Sequence, residues 1–218
     1  MLLGIGIPYY KNSSECEIAF KKMFITVWKQ VTEETRFVVY EDGQVSDWLI
    51  PYHKGRTEIL SCNVNHGVAY ARNIILTRLI NEGCDYILFL DSDDMIDCDY
   101  ISKMYEACKT GDYDLIESPF IVNKQEYHYN LRDNVAGCAI RTELIKDFVF
   151  DEDYIISEDT LFIHKLFDKY KDLKRFRINS NYYYNYGINP NSLIQRDLGT
   201  PPLIPPKPTE SDAPIQTL

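Results

Sequence analysis

YILFLDSDD, the stretch from Tyr86 to Asp94, places three acids directly after five apolar residues. An apolar run of this length, rich in β-branched and aromatic side chains, predicts a strand that is buried on both faces of a parallel sheet. Such a strand ends at the sheet edge where loops collect ligands, so Asp91, Asp93 and Asp94 are expected there. Neighbouring carboxylates repel one another, and a divalent cation bound through oxygen would relieve that repulsion. A solvated acidic turn is the alternative, although a turn does not require a fully hydrophobic strand before it.

The balance of charge argues against a nucleic-acid partner. Among 218 residues, 33 acidic side chains outweigh 23 basic ones, which gives a net charge of -10. A chain this acidic repels duplex phosphate unless basic residues cluster, and no run of Lys or Arg does so. An anionic substrate is therefore expected to arrive as a metal complex.

The length and a hydrophobic content of 45% predict one large domain, with at most a small appendage.

The cysteines and the N-terminus carry no signal for metal binding, redox chemistry or secretion. Six cysteines are scattered without a CxxC pair or His-flanked spacing, so reduced and mostly buried thiols are expected. The apolar segment LLGIGI at residues 2–7 is too short for the core of a signal peptide. No stretch approaches the roughly 18 apolar residues that a membrane span needs. We therefore expect a soluble, cytoplasmic protein.

Strand and helix patterns alternate through the first hundred residues. Before the strand at Tyr86, the predicted elements are the strands Leu2–Ile7, Arg36–Tyr40 and Thr57–Cys62 and the helix Val68–Glu82. Ser13 and Ser14 are helix-capping residues, and Glu17 lies three positions after Ser14 as in a capping box, so a further helix is predicted after the first strand. Three strand-then-helix units, with acids at two strand ends, favour an α/β sandwich around a mainly parallel sheet.

The second half is less regular, and the C-terminal end changes character. The predicted elements are the helix Asp99–Thr110, the strand Asp114–Glu117, an edge strand or hairpin over Ile121–Leu131, the helices Thr142–Asp147 and Glu158–Asp168, and the strand Phe176–Tyr184. From Gly199 onward the chain holds six of its ten prolines, which predicts an extended or disordered tail. A passive tail is favoured over a ligand for a proline-reading partner.

Short segments of recognisable composition follow one another along the chain. In order, these are IPYYK (7–11), FVVYEDG (37–43), NHGVAYARN (65–73), FLDSDD (89–94), GCAIR (137–141), FDE (150–152) and SED (157–159). Together they resemble the ordered motifs of a family 2 glycosyltransferase of the GT-A fold, the inverting group that uses nucleotide-diphosphate sugars. FLDSDD matches the family's metal-binding "D-x-D" segment without departure. Lys11 replaces a usual Asn, Glu41 replaces the first Asp of "D-D-G-S", and Gln44 replaces its Ser.

The resemblance covers residues 2–195 and implies a fold. It implies an α/β, Rossmann-like GT-A architecture in which helices sandwich a mainly parallel central sheet, with a small antiparallel portion on the acceptor side. One domain, 1–198, would contain a nucleotide-sugar-binding half at 1–98 and an acceptor-side half at 99–198. The Pro-rich tail at 199–218 would follow it.

The resemblance also implies donor-binding residues. Pro8 and Tyr10 would lie against the nucleobase, and Asp42 would accept a hydrogen bond from a uracil ring nitrogen. Arg72 would lie near the nucleotide, where its forked guanidinium suits the base or a phosphate. A structural ion pair of Arg72 with Asp42 or Asp91 is the alternative.

The remaining implied roles concern the metal and the acceptor. Asp93 would bind Mn²⁺ or Mg²⁺, and Asp91 would contact either the ribose or a metal-bound water. Asp159 is the candidate general base, with Glu158 as the alternative, although acids are common at any helix N-terminus. Tyr182–Tyr184, with Tyr186, would form a stacking surface for an acceptor sugar, unless these tyrosines simply alternate on a half-buried strand.

These roles predict an inverting, metal-dependent glycosyltransferase that moves a sugar from a UDP-sugar, or another nucleotide-diphosphate sugar, to a hydroxyl acceptor such as a glycan. A catalytically silent nucleotide-sugar-binding or scaffold protein is the alternative, because Lys11 and Glu41 depart from the family pattern and the C-terminal half is short. A nucleotidyltransferase shares the sheet architecture, but it would need a glycine-rich phosphate loop near the first strand, which is absent from this sequence.

Overall fold

The structure is a computed structural model that describes residues 1–122, 125–127, 134–154, 157–184 and 216–217. Its elements are β1 (Leu3–Tyr9), α1 (Ser14–Trp28), β2 (Thr35–Asp42), a 3-10 helix (Asp47–Tyr52), β3 (Thr57–Cys62), α2 (Val68–Asn81), β4 (Tyr86–Phe89), β5 (Met95–Ile96), α3 (Tyr100–Thr110), β6 (Leu115–Glu117), β7 (Phe120–Val122), β8 (Gln125–Tyr127), β9 (Ala139–Arg141), α4 (Thr142–Ile145), α5 (Glu158–Lys169), β10 (Arg175–Arg177), β11 (Tyr182–Tyr184) and β12 (Gln216–Thr217).

The strands form a large sheet and a small one. The large sheet has the order β10-β6-β9-β4-β1-β2-β3-β12, and the small sheet has the order β5-β11-β7-β8. Strands β4, β1, β2 and β3 are mutually parallel, whereas β9 runs antiparallel to both β4 and β6. This α/β arrangement, mainly parallel with an antiparallel portion, confirms the predicted fold class. Because parallel strands end at the same edge, the residues that follow β1, β2 and β4 are brought together there.

Helices cover both faces of the large sheet. On one face, α1 and α3 pack against strand side chains such as Ile5 and Ile7. On the other face, α2 and α5 pack against the alternate residues, which include Val38 and Tyr40. Each large apolar side chain that is buried in this way stabilises the fold by about 1.5–3 kcal/mol. The sandwich therefore holds the strand ends rigidly.

Glycine in β1 lets α2 approach the sheet closely. A Cβ atom added to Gly6 would lie 2.3 Å from Cγ2 of Ile75 on α2, far inside van der Waals contact. The glycines of the first strand, which look unfavourable for a strand in the sequence, are thus explained by helix packing.

Two local predictions are wrong in detail. Of the two predicted capping residues, Ser13 caps the first helix, with its Oγ accepting the N–H of Cys16 at 3.2 Å, whereas Ser14 is the first residue of the helix and not the cap of a capping box. Glu17 instead makes ion pairs with Lys11 and Lys21, so its carboxylate does not turn back to the helix N-terminus.

The predicted strand Phe176–Tyr184 is divided between the two sheets. Arg177 pairs with Glu117 in the large sheet, whereas Tyr182 pairs with Phe120 in the small one. The four residues 178–181 therefore lie opposite only two residues, Ser118 and Pro119, so the two segments cannot pair one to one here. Pro119 has no N–H to donate, which favours the end of regular pairing at this point.

The remaining observations concern the cysteines, the apolarity of the helices, the tail and the segment 121–131. All six cysteines are free thiols, and five of them are buried. No helix in the described residues is long and apolar enough to cross a membrane. Most of the tail at 199–218 lies outside the described residues, but Gln216–Thr217 pairs antiparallel with β3. Of the edge strand or hairpin predicted over 121–131, the described residues contain the antiparallel pair β7 and β8, and 123–124 and 128–131 lie outside them.

Candidate functional site

The ends of β1 and β2 form one side of the candidate site. The parallel register places Pro8 beside Tyr40 and Tyr9 beside Glu41. Pro8 is buried, whereas Tyr10 is 46% exposed and available to a ligand. Glu41 is fully buried and accepts the N–H of Ser46 at 3.1 Å, so this departure from the family pattern lies inside the fold.

Asp42 at the end of β2 anchors the loop that leads into α2. Its Oδ1 accepts the N–H of His66 at 2.8 Å and its Oδ2 accepts the N–H of Gly67 at 2.7 Å. The carboxylate is 2% exposed, and burial raises its pKa although both N–H groups and the His66 ring oppose the rise. The imidazole of His66 stacks on Tyr70 with ring centroids 4.4 Å apart. Asp42 therefore determines where α2 begins.

Arg72, in the second turn of α2, links two distant acids beneath the site. Its Nη2 donates to Asp91 Oδ1 at 2.8 Å, and its Nη1 donates to Glu158 Oε1. The guanidinium is almost fully buried and lies over the ring of Phe150, 5.7 Å from the ring centroid. Of the two ion pairs considered for Arg72, the structure contains the one with Asp91, and Asp42 binds the loop instead.

Three carboxylates surround this one guanidinium. Burial raises the pKa of Glu158 to about 7, with the charge of Arg72 opposing the rise and the charges of Asp159 and Asp91 adding to it. Burial likewise raises the pKa of Asp159, again against the effect of Arg72. Because one cation cannot neutralise three anions, the cluster favours uptake of a proton.

Glu158 and Asp159 differ in accessibility at the start of α5. Glu158 is 4% exposed and is bound by Arg72, whereas Asp159 is half-buried and accepts the N–H of Thr160 through Oδ1 at 2.8 Å. Ser157, just before them, has a φ of 69°, a left-handed conformation that is rare for a residue with a side chain. Such conformations cost of order 1–3 kcal/mol and persist where surrounding contacts hold them. The turn therefore orients the two acids differently.

The acidic loop after β4 separates its three carboxylates. Asp94 is 1% exposed and accepts the hydroxyl proton of Tyr182. The same hydroxyl oxygen accepts the N–H of Asp91 at 3.2 Å. Asp91 and Asp93 remain half-buried, with 23% of the Asp91 side chain exposed. Two of the three acids thus stay within reach of solvent, and the third is part of the core.

The donor set of this loop fits a hard divalent cation that shares its ligands with a bound phosphate. Carboxylate oxygens suit Mn²⁺ and Mg²⁺, and Mg²⁺ at phosphate sites is commonly held by one or two protein carboxylates. Within the part of the chain that the structure describes, no group of three or more His, Cys, Asp or Glu side chains is arranged to hold a metal. A cation at Asp91 and Asp93 would therefore take its remaining ligands from the substrate and water.

The described part of the tyrosine run, Tyr182–Tyr184, passes from a buried to an exposed side chain, as the alternating strand that was the alternative to an acceptor surface would. Tyr182 is fully buried, and its ring stacks on Phe120 with centroids 5.3 Å apart, so it cannot stack on a sugar. Tyr183 is 37% exposed, and its hydroxyl donates to Asp97 Oδ1 at 2.8 Å. Tyr186 lies outside the described residues. The contact between Tyr182 and the acidic loop was not anticipated, because alternation along a strand reveals which residues are buried but not which partner each one meets.

Comparisons with known proteins agree with this architecture. The model of the family described as Glycosyl transferase family 2 matches residues 27–170. No curated protein matches the chain by sequence. The structure of S. aureus TarS 1–349 in complex with UDP has a TM-score of 0.67 and 18% identity, over 84% of this chain and 60% of that one.

A TarS structure in complex with UDP-GlcNAc matches with the same TM-score of 0.67, over 58% of its length. The mannosyltransferase PcManGT from Pyrobaculum calidifontis, in complex with GDP-Man and Mn²⁺, has a TM-score of 0.62 and 12% identity, over 85% of this chain and 58% of that one. This chain thus spans about 60% of the length of the TarS structure. At such identities the likeness to solved structures establishes the fold.

Proposed function

This chain belongs to glycosyl transferase family 2, and on that basis we propose that it transfers a sugar from a nucleotide-diphosphate sugar to an acceptor hydroxyl. The reaction would invert the configuration at the anomeric carbon and depend on Mn²⁺ or Mg²⁺. The preferred donor is a UDP-sugar. Support for this donor comes from the fold, which is shared with TarS in its complexes with UDP and UDP-GlcNAc. The expected cytoplasmic location stays a prediction.

The donor would bind at the common edge of β1, β2 and β4. Tyr10 is exposed there and has an aromatic face for the nucleobase, and Pro8 lies buried two residues earlier, near the end of β1. Asp42 would contribute mainly by holding the loop at His66 and Gly67, because both of its oxygens already accept backbone N–H groups. A uracil N–H could then use only the remaining lone pairs of that carboxylate.

Asp93 and Asp91 are the proposed metal ligands. A bound Mn²⁺ or Mg²⁺ supplies positive charge that offsets the charge developing on the departing diphosphate. Asp91 is oriented for this task by Arg72 on its carboxylate and by Tyr182 on its backbone N–H. Arg72 is consequently proposed to position Asp91 and Glu158, in place of the direct phosphate contact that the family resemblance allows.

Asp159 is the proposed general base. Glu158 is engaged by Arg72 and almost inaccessible, whereas Asp159 next to it is half-buried and has a pKa that burial raises. A raised pKa makes a carboxylate a better proton acceptor, provided that the pH keeps it ionised. Asp159 would take the proton of the acceptor hydroxyl as that oxygen bonds to the anomeric carbon, while the bond from this carbon to the diphosphate oxygen breaks.

One observation supports this proposal above the others. The guanidinium of Arg72 contacts Asp91, which follows β4, and Glu158, which begins α5. It therefore ties the proposed metal loop to Glu158, the neighbour of the proposed base Asp159, although Asp91 and Glu158 lie 67 residues apart in the chain. A sugar transferase needs this proximity, because the diphosphate leaves from one face of the anomeric carbon as the acceptor arrives at the other.

The proposal is tested with purified protein and a panel of UDP- and GDP-sugars, with Mn²⁺ or with EDTA. Release of the nucleoside diphosphate and thermal stabilisation by the bound nucleotide are measured in parallel. We expect Mn²⁺-dependent UDP binding together with slow hydrolysis of at least one donor. Binding without turnover on any donor or acceptor would favour the silent binding protein. Neither binding nor turnover with any of the nucleotides would reject the transferase assignment.

A further inference from the structure

The hydroxyl of Tyr182 connects the acidic loop to the small sheet. It donates its proton to Asp94 Oδ2, and its oxygen accepts the N–H of Asp91 at 3.2 Å. A further backbone bond joins the ends of this turn, from the N–H of Asp94 to the carbonyl oxygen of Asp91 at 3.4 Å. One phenol thus contacts the first and the last residue of the segment Asp91–Asp94.

The position of Tyr182 is itself determined by contacts on several sides. Its ring stacks on Phe120, and its N–H donates to the carbonyl oxygen of Pro119 at 2.9 Å. Against the ring lies Gly137, where an added Cβ would come within 2.8 Å of Tyr182 Cδ2. Gly137 has a φ of 73°, and its N–H donates to the carbonyl oxygen of Phe89 at 2.9 Å. Tyr182 is therefore held against the end of β4.

We propose that Tyr182 is a positioning residue for the metal-binding loop, and that the buried Asp94 serves as its anchor and not as a metal ligand. The inference rests on the proposed function and deepens it. Through the N–H of Asp91, the Tyr182 hydroxyl orients the backbone from which the Asp91 carboxylate projects. Through Asp94, it holds the other end of the turn, so that Asp93 is constrained between two fixed points.

The chemistry requires a hydroxyl at this place and not merely an aromatic ring. Phenylalanine would keep the stacking on Phe120 but would leave the buried Asp94 carboxylate without the Tyr182 proton and the N–H of Asp91 without the Tyr182 oxygen. Both groups would then favour a turn that reaches water or another partner. Groups that orient metal ligands in this way typically change metal affinity by about 10–100-fold when they are removed.

The test is the affinity for Mn²⁺, read from the free-Mn²⁺ signal in electron paramagnetic resonance with saturating UDP, and in parallel with GDP. Tyr182→Phe is compared with Tyr183→Phe, a matched control on the same strand whose hydroxyl contacts Asp97. We expect Tyr182→Phe to weaken Mn²⁺ binding by about tenfold or more and Tyr183→Phe by less than about twofold. Equal Mn²⁺ affinity in Tyr182→Phe and the unaltered protein would overturn the inference.

A second comparison keeps the inference testable if Tyr182→Phe does not fold. Asp94→Asn preserves the side-chain volume and an oxygen acceptor for Tyr182. Asp93→Asn removes the charge of a proposed metal ligand. We expect Asp94→Asn to retain Mn²⁺ affinity within about threefold and Asp93→Asn to lose at least about tenfold. Equal losses in the two variants would make Asp94 a ligand and reject its role as an anchor. Failure of the unaltered protein to bind Mn²⁺ with either nucleotide would reject the proposed function itself.

Discussion

Arg72 Nη2 lies 2.8 Å from Asp91 Oδ1, and this buried contact joins α2 to the loop after β4. The other amino group of the guanidinium contacts Glu158 at the start of α5. A planar fork can satisfy two carboxylates at once, which the single ammonium of a lysine cannot reproduce with the same geometry. The position of Glu158, and with it that of the adjacent proposed base Asp159, relative to the proposed metal loop is therefore tied to one side chain.

Replacement of Arg72 is expected to lower both stability and activity. Arg72→Gln leaves the buried Glu158 and the half-buried Asp91 without their cation, which should reduce the free energy of unfolding by about 3–5 kcal/mol. Arg72→Lys keeps the charge but loses the fork, and we expect transfer to fall by about 100-fold because the two acids shift. Denaturant unfolding and turnover are the measurements. Arg78→Gln is the control on the same helix, where a partly exposed ion pair should contribute about 1 kcal/mol or less.

Asp159→Asn is expected to abolish proton removal without loss of the donor site. We predict a fall in kcat by a factor of about 10²–10⁴ with UDP affinity unchanged. Since burial raises the pKa of Asp159, the acid limb of kcat against pH in the unaltered enzyme should lie above the ordinary aspartate value of 3.8. Asp168→Asn, at the exposed end of the same helix, should leave both quantities unchanged. Full activity of Asp159→Asn would transfer the role of base to another residue.

The proton held at Glu158 should appear in the pH dependence of stability. Its pKa in the folded chain is about 7, above the ordinary 4.5, because burial disfavours the charged form. Between those two pH values the folded state keeps a proton that the unfolded state has lost, so stability falls as pH rises through the window. The loss should reach up to about 3 kcal/mol, and it should be absent in Glu158→Gln. If the free energy of unfolding changed with pH in the same way in both proteins between pH 4 and 8, the assignment would be contradicted.

Asp42→Asn is expected to loosen the entry into α2. The amide offers only one acceptor oxygen, so the N–H of either His66 or Gly67 loses its bond to residue 42. Gly67 keeps a second acceptor in Asn65 Oδ1 at 3.0 Å, whereas loss of the acceptor for the His66 N–H should cost about 1–3 kcal/mol. We expect UDP binding to weaken by about tenfold together with this loss of stability. Asp47→Asn, at an exposed position near the same edge, is the control. Weaker binding with no change in stability would indicate that Asp42 acts on the nucleobase alone.

Much of the fold could be predicted from local sequence patterns. The strand Thr57–Cys62 agrees with the structure at both ends, and the helices Val68–Asn81 and Glu158–Lys169 differ from their predicted bounds by one residue. These elements are defined by the periodicity of apolar residues over a short window, which reflects burial on a face of a helix or sheet. The division of 176–184 was missed, because it depends on Pro119 in a different segment.

The sequence by itself determined the family resemblance, the α/β class and the edge of the sheet at which the acids collect, because apolar runs and strand order are properties of the chain read in one dimension. Only the tertiary structure decided which partner each acid contacts and how deeply it is buried. It turned Asp94 inward to Tyr182, joined Arg72 to Asp91 and Glu158, and left Asp159 the more accessible of the pair. Partners such as Asp94 and Tyr182, 88 residues apart, are selected by distance and burial in space, and no local pattern records them.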